Sequence, residues 1–477
     1  MTYRVPLHLL LSVALICVAC GEEDELEPTV SGLYQLGSGT DTGYFALPFP
    51  NELRLTSTGT INVGDLARDQ SALLKIYFDE VAKNPTGGFA LNGAIFFRFD
   101  GVIARACLPA SAADTLKAGS TVALVNVDKT SSGYGERIPV QTKVTEAAGR
   151  FIGKHSLAVL PVPGFSLRPG TLYAALLTDG LCDEIGAPIM AAADLIQLLA
   201  SDKPTEARLA AAHTTYAPLR AYLSDKGVTG LVSATLFRTG KPTEVARLAR
   251  EVVVGLPAPK AESVVVRYDG INYYELQGTY KAPNFQSGTP PFMNLADGGG
   301  IKMDSAGKPV VAFTESMRFA LSIPKEGKMP ANGWPIVLYA HGTGGSYRTF
   351  ATNYTAEKLA AIKDSTGHDL ANIAVVGIDQ NLHGPRAGGL DSPEITFFNF
   401  QNPAASVHNV VQAGVDNYSL LRMIKGFTAT SVPWSTKATK KGSVTFTPGI
   451  KFDPTKIYFM GHSQGGLTGP VALAFEP

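Results

Sequence analysis

The sequence predicts a mixed α/β protein in which a β-rich domain precedes a domain whose strands and helices alternate around a parallel sheet. Three observations carry that prediction. Short apolar runs parted by Gly, Pro and Asp turns fill the chain from Phe45 to about residue 190. Beyond about residue 262, apolar strands alternate with segments whose apolar residues step by three and four. Last, the apolar run Tyr458-Phe459-Met460 leads straight into Gly461-His462-Ser463-Gln464-Gly465-Gly466, where small residues flank a serine and the helix-compatible Leu467-Thr468 follows.

With 477 residues the chain fits two or three domains. Lys+Arg and Asp+Glu balance at 41 each, so no basic footprint argues for nucleic acid. Only 17% of residues are charged, and 49 Gly and 31 Pro suit a loop-rich secreted or envelope protein.

The first elements agree with that compartment. Arg4 and the apolar stretch from Leu9-Leu10-Leu11 to Val18 have signal-peptide length and are too short to span a bilayer. The stretch ends in Cys17-Val18-Ala19-Cys20-Gly21, followed by Glu22-Glu23-Asp24-Glu25. This resembles a bacterial lipoprotein signal, with Cys20 as the acylated residue and new N-terminus. Cys17 stands where that pattern usually has Leu. An ordinary cleaved signal is the other reading, and the charge step directly after Cys20 favours the lipoprotein. Residues 1–20 are thus read as signal and 21–42, acidic and then Gly37-Ser38-Gly39-Thr40, as a tether. Two cysteines remain in the body, Cys107 and Cys182; they either pair in an oxidising envelope or stay as buried thiols, and spacing does not choose.

Residues 43–260 are expected to form the β-rich domain with appended helices. Its strands are read at Ala94–Phe99, Val122–Val127, Leu157–Leu160 and Thr171–Leu177, which suggests a sandwich of immunoglobulin-like character. Leu209, Ala212, Tyr216, Leu219 and Leu223 lie on one helical face, with a kink at Pro218 and a stop at Gly227. A helix near Glu244–Val253 and the linker Gly255-Leu256-Pro257-Ala258-Pro259 close the domain.

Residues 262–477 are expected to form the α/β domain. Strands are read at Ser263–Tyr268, Arg318–Ser322, Ile336–Ala340 and Ile373–Ile378, before the final apolar run. Helices are read near Ala356–Lys363 and from Asn402-Pro403 to Gly426, with Val407, Val411, Gly414, Tyr418 and Leu421 on one face. Residues 427–450 look like an insertion, a lid or a plain loop, and Asp304-Ser305-Ala306-Gly307 reads as a hairpin turn.

The chemistry centres on Ser463. A strand-led G-x-S-x-G turn lifts a serine hydroxyl above a parallel sheet, and Gly461 and Gly465 supply the small flanks that such a strained turn needs. A serine attack creates an oxyanion that donors must meet. The Gln464 amide is one expected donor. The loop His341-Gly342-Thr343-Gly344-Gly345, which follows a buried strand, supplies the other through Thr343, with Gly342 and Gly344 allowing its backbone to turn inward. Losing one such donor costs ~2.7–4 kcal/mol of barrier. His383 is read as a loop-organising residue on the same sheet edge, His408 and Gln412 as helix polarity, and His462 as pointing away from the site. Asp379 precedes the serine and is a poor triad acid. No metal-ligand spacing or phosphate loop occurs, so no cofactor is called.

The elbow, the H-G-T-G-G loop and the β-α alternation resemble the α/β-hydrolase superfamily. More narrowly, Leu47-Pro48-Phe49-Pro50-Asn51, Leu160-Pro161-Val162-Pro163-Gly164, Arg168–Ala174, Ile378–Gly384 and Phe398–Pro403 resemble envelope-bound bacterial lipase-like lipoproteins with an immunoglobulin-like N-terminal domain, the virulence-factor lipase type. The resemblance implies a serine hydrolase of carboxylic esters, with a lipid-like substrate and attachment to the membrane by its lipid anchor. It covers nucleophile and oxyanion positions only; the acid and histidine, which follow the serine in this fold, have no matching positions. Three readings are open, taken in this order: a chain that stops short of them, a catalytically dead relative, or a histidine upstream, His383. The opposing functional class is a non-enzymatic envelope lipoprotein that binds a surface polymer or partner through its N-terminal sandwich.

Overall fold

The computed structural model describes residues 27–36, 44–67, 70–390 and 392–476. The signal, Cys20 and the Gly37–Thr40 stretch therefore lie outside the described residues. The chain divides into two compact units. The first takes the described residues within Met1–Glu52, Asn92–Leu167 and Leu172–Phe237; the second takes those within Leu53–Leu91, Arg168–Thr171 and Arg238–Pro477. The boundary expected at residue 260 is thus displaced. The helix Glu244–Gly255, read as closing the first domain, buries Ala246, Ala249 and Val253 in one cluster with Val411, Val415 and Tyr418 of the second unit.

The first unit holds two sheets. One has three strands in the order Ile95–Arg98, Ser156–Pro161, Val140–Thr145; the other has four, in the order Arg137–Ile138, Val122–Asn126, Leu172–Thr178, Leu231–Arg238. The immunoglobulin-like wiring expected from the sequence is not reproduced: the second strand, Val122–Asn126, sits between the third and the sixth, where that wiring would place it beside the first and fifth. Every residue of Val122–Asn126 is buried, and so are Leu172–Leu177, which requires cover on both faces. Cys107 and Cys182 form a disulfide in this unit, their Cα atoms 5.8 Å apart.

Two further readings are corrected here. Part of the expected tether is built into the body: Gly32 N–H donates to the Met190 carbonyl and Leu33 N–H to that of Arg98, while Val30, Tyr34 and Leu36 are buried. The expected kinked helix is two helices, Ala207–Thr215 and Ala217–Lys226, broken at Tyr216. Pro218 cannot donate into a continuing turn but fits the first turn of a new helix. Gly227, at φ +63°, caps the second one.

The second unit is organised by a six-stranded sheet. Its strands are β1 (Glu262–Asp269), β2 (Tyr273–Asn284), β3 (Phe313–Pro324), β4 (Trp334–Ala340), β5 (Ala374–Ile378) and β6 (Phe452–Gly461), in the spatial order β6-β4-β5-β3-β2-β1. Only the β4–β5 and β4–β6 pairs are parallel; β5–β3, β3–β2 and β2–β1 are antiparallel. The expected parallel sheet is therefore mixed. β2 escaped notice because polar Glu275 and Gln277 interrupt its apolar run; Glu275 is fully buried against Arg348, with N–O distances of 2.6 and 2.8 Å.

Side-chain alternation along β4 sorts the two layers. Ile336 and Leu338 face a core shared with Leu420, Leu421 and Ile424 of helix α1 (Pro403–Lys425). Val337 and Tyr339 face Phe350, Ala356 and Ala360 on the short helices Thr349–Thr352 and Thr355–Ala360. The second of these ends before the expected Lys363, and Ile362–Lys363 pairs with Asp369–Ala371 instead. Asn402 caps α1 by accepting the Ala405 N–H at 3.2 Å, and Pro403 occupies its first turn. Val407, placed on the apolar face of α1 by spacing, is exposed. Residues 427–450 are neither lid nor open loop. They contain the hairpin Ala429–Pro433 with Ser443–Ile450, and Val432 and Ile450 are buried in the sheet core. Among the described residues no helix is long and apolar enough to cross a membrane.

Candidate active site

The carboxyl ends of β4, β5 and β6 bring three segments together: the loop His341–Gly345, the loop Asp379–His383, and the turn at Ser463. Helix α2 (Gln464–Leu473) starts directly after Ser463. Ser463 has φ +51° and ψ −113°, a region that non-glycine residues occupy only under strain. The turn closes because its flanks carry no side chain. A Cβ on Gly465 would sit 2.1 Å from the Ala340 carbonyl oxygen, and one on Gly461 would sit 2.5 Å from that of Gly465. His462 N–H donates to the Ala340 carbonyl at 3.0 Å, pinning the turn to the end of β4. Ser463 itself is exposed, and its hydroxyl makes no hydrogen bond to the described residues.

The H-G-T-G-G loop lies against this turn. A Cβ on Gly342 would meet Ser463 Cβ at 3.1 Å and His462 Nδ1 at 2.8 Å, so the backbone of Gly342 packs directly on the nucleophile. Thr343 Oγ1 donates to Gln464 Oε1 at 3.0 Å, which joins the two residues expected to hold an oxyanion. Gln464 is 2% exposed, and its Nε2 finds no partner among the described residues. Gly344 is at φ +74°. The predicted nucleophile, oxyanion residues and glycines are thus gathered in one place.

The histidines of this region are structural. His341 is buried; its Nε2 accepts the Gln380 N–H at 3.1 Å, which leaves the proton on Nδ1, 2.8 Å from the Gly342 carbonyl. Burial pushes its pKa from the ordinary 6.5 down to about 4, with the neighbouring His383 adding to the effect and the Gly342 carbonyl opposing it. His383 is fully buried with its ring edge-on to His341 at 4.8 Å. Its Nε2 accepts the Gly344 N–H at 3.3 Å and its Nδ1 lies 2.9 Å from the Asn381 carbonyl. With both ring nitrogens engaged, the upstream histidine considered as a base organises the loop instead. Asp379 is also occupied: Oδ2 pairs with Arg318 at 2.8 Å and Oδ1 accepts the Tyr347 N–H at 3.1 Å. His408 is held on α1 by the Ala404 carbonyl, and His462 is exposed.

Sequence reasoning missed two features. Gln380 touches both the loop and α2; its only signal was its place just past a buried strand, at the sheet edge where such folds bind ligands. Arg386 donates to Asp416 at 2.7 Å, to Glu315 at 2.8 Å and to the Asp379 carbonyl at 3.0 Å, fixing the loop below the site. Burial opposes its charge, but Asp416 and Glu315 outweigh burial and hold it protonated; burial in turn raises Asp416. Among the described residues no group of three or more His, Cys, Asp or Glu is placed to hold a metal ion.

No protein-family model and no curated protein matches this chain. Among solved structures, similarity is found to an acetyl xylan esterase from Paenibacillus sp. R4, with 16% identity and TM-score 0.26 over 49% of this chain and 55% of that one. A second is acetyl xylan esterase 1 from Thermoanaerobacterium sp. JW/SL YS485, with 14% identity and TM-score 0.28 over 50% and 55%. The N-terminal part of the bacterial S-layer protein SbsC is also found, at 9% identity and TM-score 0.16 over 54% and 47%. The chain spans about half the length of each. Likenesses this distant carry no weight beside the geometry of the site.

Proposed function

We propose that this chain carries the nucleophile and oxyanion hole of a serine carboxylic-ester hydrolase of the lipase/esterase kind, held at a bacterial cell envelope through Cys20. The observation that carries the reading is the strained, solvent-facing Ser463 at the β6–α2 turn, with the Gly342–Thr343 backbone packed against it. In this reading Ser463 Oγ attacks the ester carbonyl, and the Thr343 and Gln464 amides receive the developing oxyanion. Thr343 Oγ1, bonded to Gln464, keeps those two backbones in register. Base and acid are assigned to residues other than the engaged His341, His383 and Asp379. The substrate class is a carboxylic ester, with lipid-like esters the expectation from the family resemblance.

The test is labelling by a fluorophosphonate probe, which reacts with activated serines. The full-length protein should label, and Ser463→Ala should abolish the signal. A folded full-length protein that does not label moves the non-catalytic envelope role to first place.

A further inference from the structure

A glycine-rich loop has many backbone conformations available, and one peptide flip in it would remove an oxyanion donor. Something must hold the loop and the elbow at a fixed separation. Gln380 has bonds to both. It is 3% exposed, and its backbone N–H donates to His341 Nε2 at 3.1 Å. Its side-chain Nε2 donates to the His341 carbonyl oxygen, at the foot of the loop. Its Oε1 accepts from Thr468 Oγ1 at 2.8 Å, one turn into the helix that Gln464 begins. Thr468 is fully buried, so neither partner can exchange this bond for water.

Its loop neighbours bind the same target. Asp379 takes the Tyr347 amide and His383 takes the Gly344 amide, so three residues of one loop grip three points of the segment His341–Tyr347. Gln380 alone among them also reaches α2. A primary amide suits this position because it donates to a carbonyl and accepts from a hydroxyl at once. Neither an alkyl chain nor a carboxylate can do both.

We propose that Gln380 is a positioning residue for the oxyanion hole. By holding the His341 carbonyl through Nε2 and Thr468 through Oε1, it sets the distance between the Thr343 and Gln464 amides. The inference rests on the serine-hydrolase reading above. Gln380 touches no substrate in this role; it acts through the two backbones it ties.

The experiment uses the full-length protein, first confirmed to label at Ser463. kcat and KM are measured on p-nitrophenyl acetate, together with inhibition by a trifluoromethyl ketone, which becomes a tetrahedral oxyanion when serine adds to it. Gln380→Ala should lower kcat by about 10- to 100-fold and weaken the ketone in parallel, with KM moving by less than about threefold. Gln380→Glu, of the same shape but without the donor, should fail to restore either value. Thr468→Val keeps Gln380 and the packing in place and should lower kcat by about 3- to 10-fold in the same pattern. A role limited to filling space would leave Gln380→Glu and Thr468→Val at wild-type kcat and ketone affinity, and that result overturns the proposal. Where Gln380→Ala does not fold, Thr468→Val decides alone. A wild-type protein that does not label defeats the serine reading itself, and the proposal with it.

Discussion

Acidification should weaken the second unit through His341, by an amount the structure supplies. The folded state buries this ring neutral, its Nε2 accepting the Gln380 N–H, and holds its pKa at about 4 against an ordinary 6.5. The unfolded chain therefore binds a proton that the folded chain refuses. The stabilisation is complete above about pH 6.5, drains as pH falls toward 4, and levels off below that. At 1.36 kcal/mol for each pH unit between the two values, the loss from pH 7 to pH 4 comes to about 3 kcal/mol. Urea unfolding followed by tryptophan fluorescence isolates this unit, because Trp334 and Trp434 both belong to it. The comparison protein is His341→Gln, whose side chain can still accept from the Gln380 amide but does not titrate. Carboxylates, and His408, which burial also pushes down, contribute equally to both proteins and cancel. Wild type should lose about 3 kcal/mol more than the variant between pH 7 and pH 4. Equal losses in the two proteins would refute the claim that His341 is held neutral by burial.

The remaining expectations concern strain, buried charge and the cross-link. Ser463→Gly should raise stability by about 1 kcal/mol, read as a higher melting temperature, because glycine adopts φ +51° without the cost that serine bears. Arg386→Leu leaves Asp416 and Glu315 without their cation and should cost about 3–5 kcal/mol in urea unfolding, much of it recovered when Asp416→Leu is added. Cys107→Ser opens the bond to Cys182, 75 residues away in sequence, and should destabilise the first unit by about 2–4 kcal/mol in calorimetry, with the reduced wild type behaving alike.

The elbow was legible because its sterics restrict the sequence so severely. No side chain fits between Gly465 and the Ala340 carbonyl, so the positions around Ser463 had to be small, and that pattern can be read without coordinates. The buried strands β4 and β5 were legible for a similar reason, since unbroken apolar runs signal cover on both faces. The antiparallel half of the sheet was not. β2 carries Glu275 near its start, and the distant Arg348, with Gln277 beside it, makes that carboxylate tolerable in a core. The same non-local compensation hid Arg386, whose partners lie 71 and 30 residues away. Domain membership failed most plainly: the helix Glu244–Gly255 has the right spacing for either unit, and only its docking on α1 decides which. The segment around Tyr34 was misread because acidic and Gly/Ser-rich neighbours set the tone of the stretch. The alternation Val30, Gly32, Tyr34, Leu36 marks it as a strip that packs on a sheet edge.

That strip also sets a length. Thr29 already bonds to Asp183, so the body is fastened nine residues after Cys20, where a tether running to residue 42 would have allowed more than twice as many. Nine extended residues reach about 30 Å. The first unit of a protein acylated at Cys20 would then begin within roughly one bilayer thickness of the lipid surface.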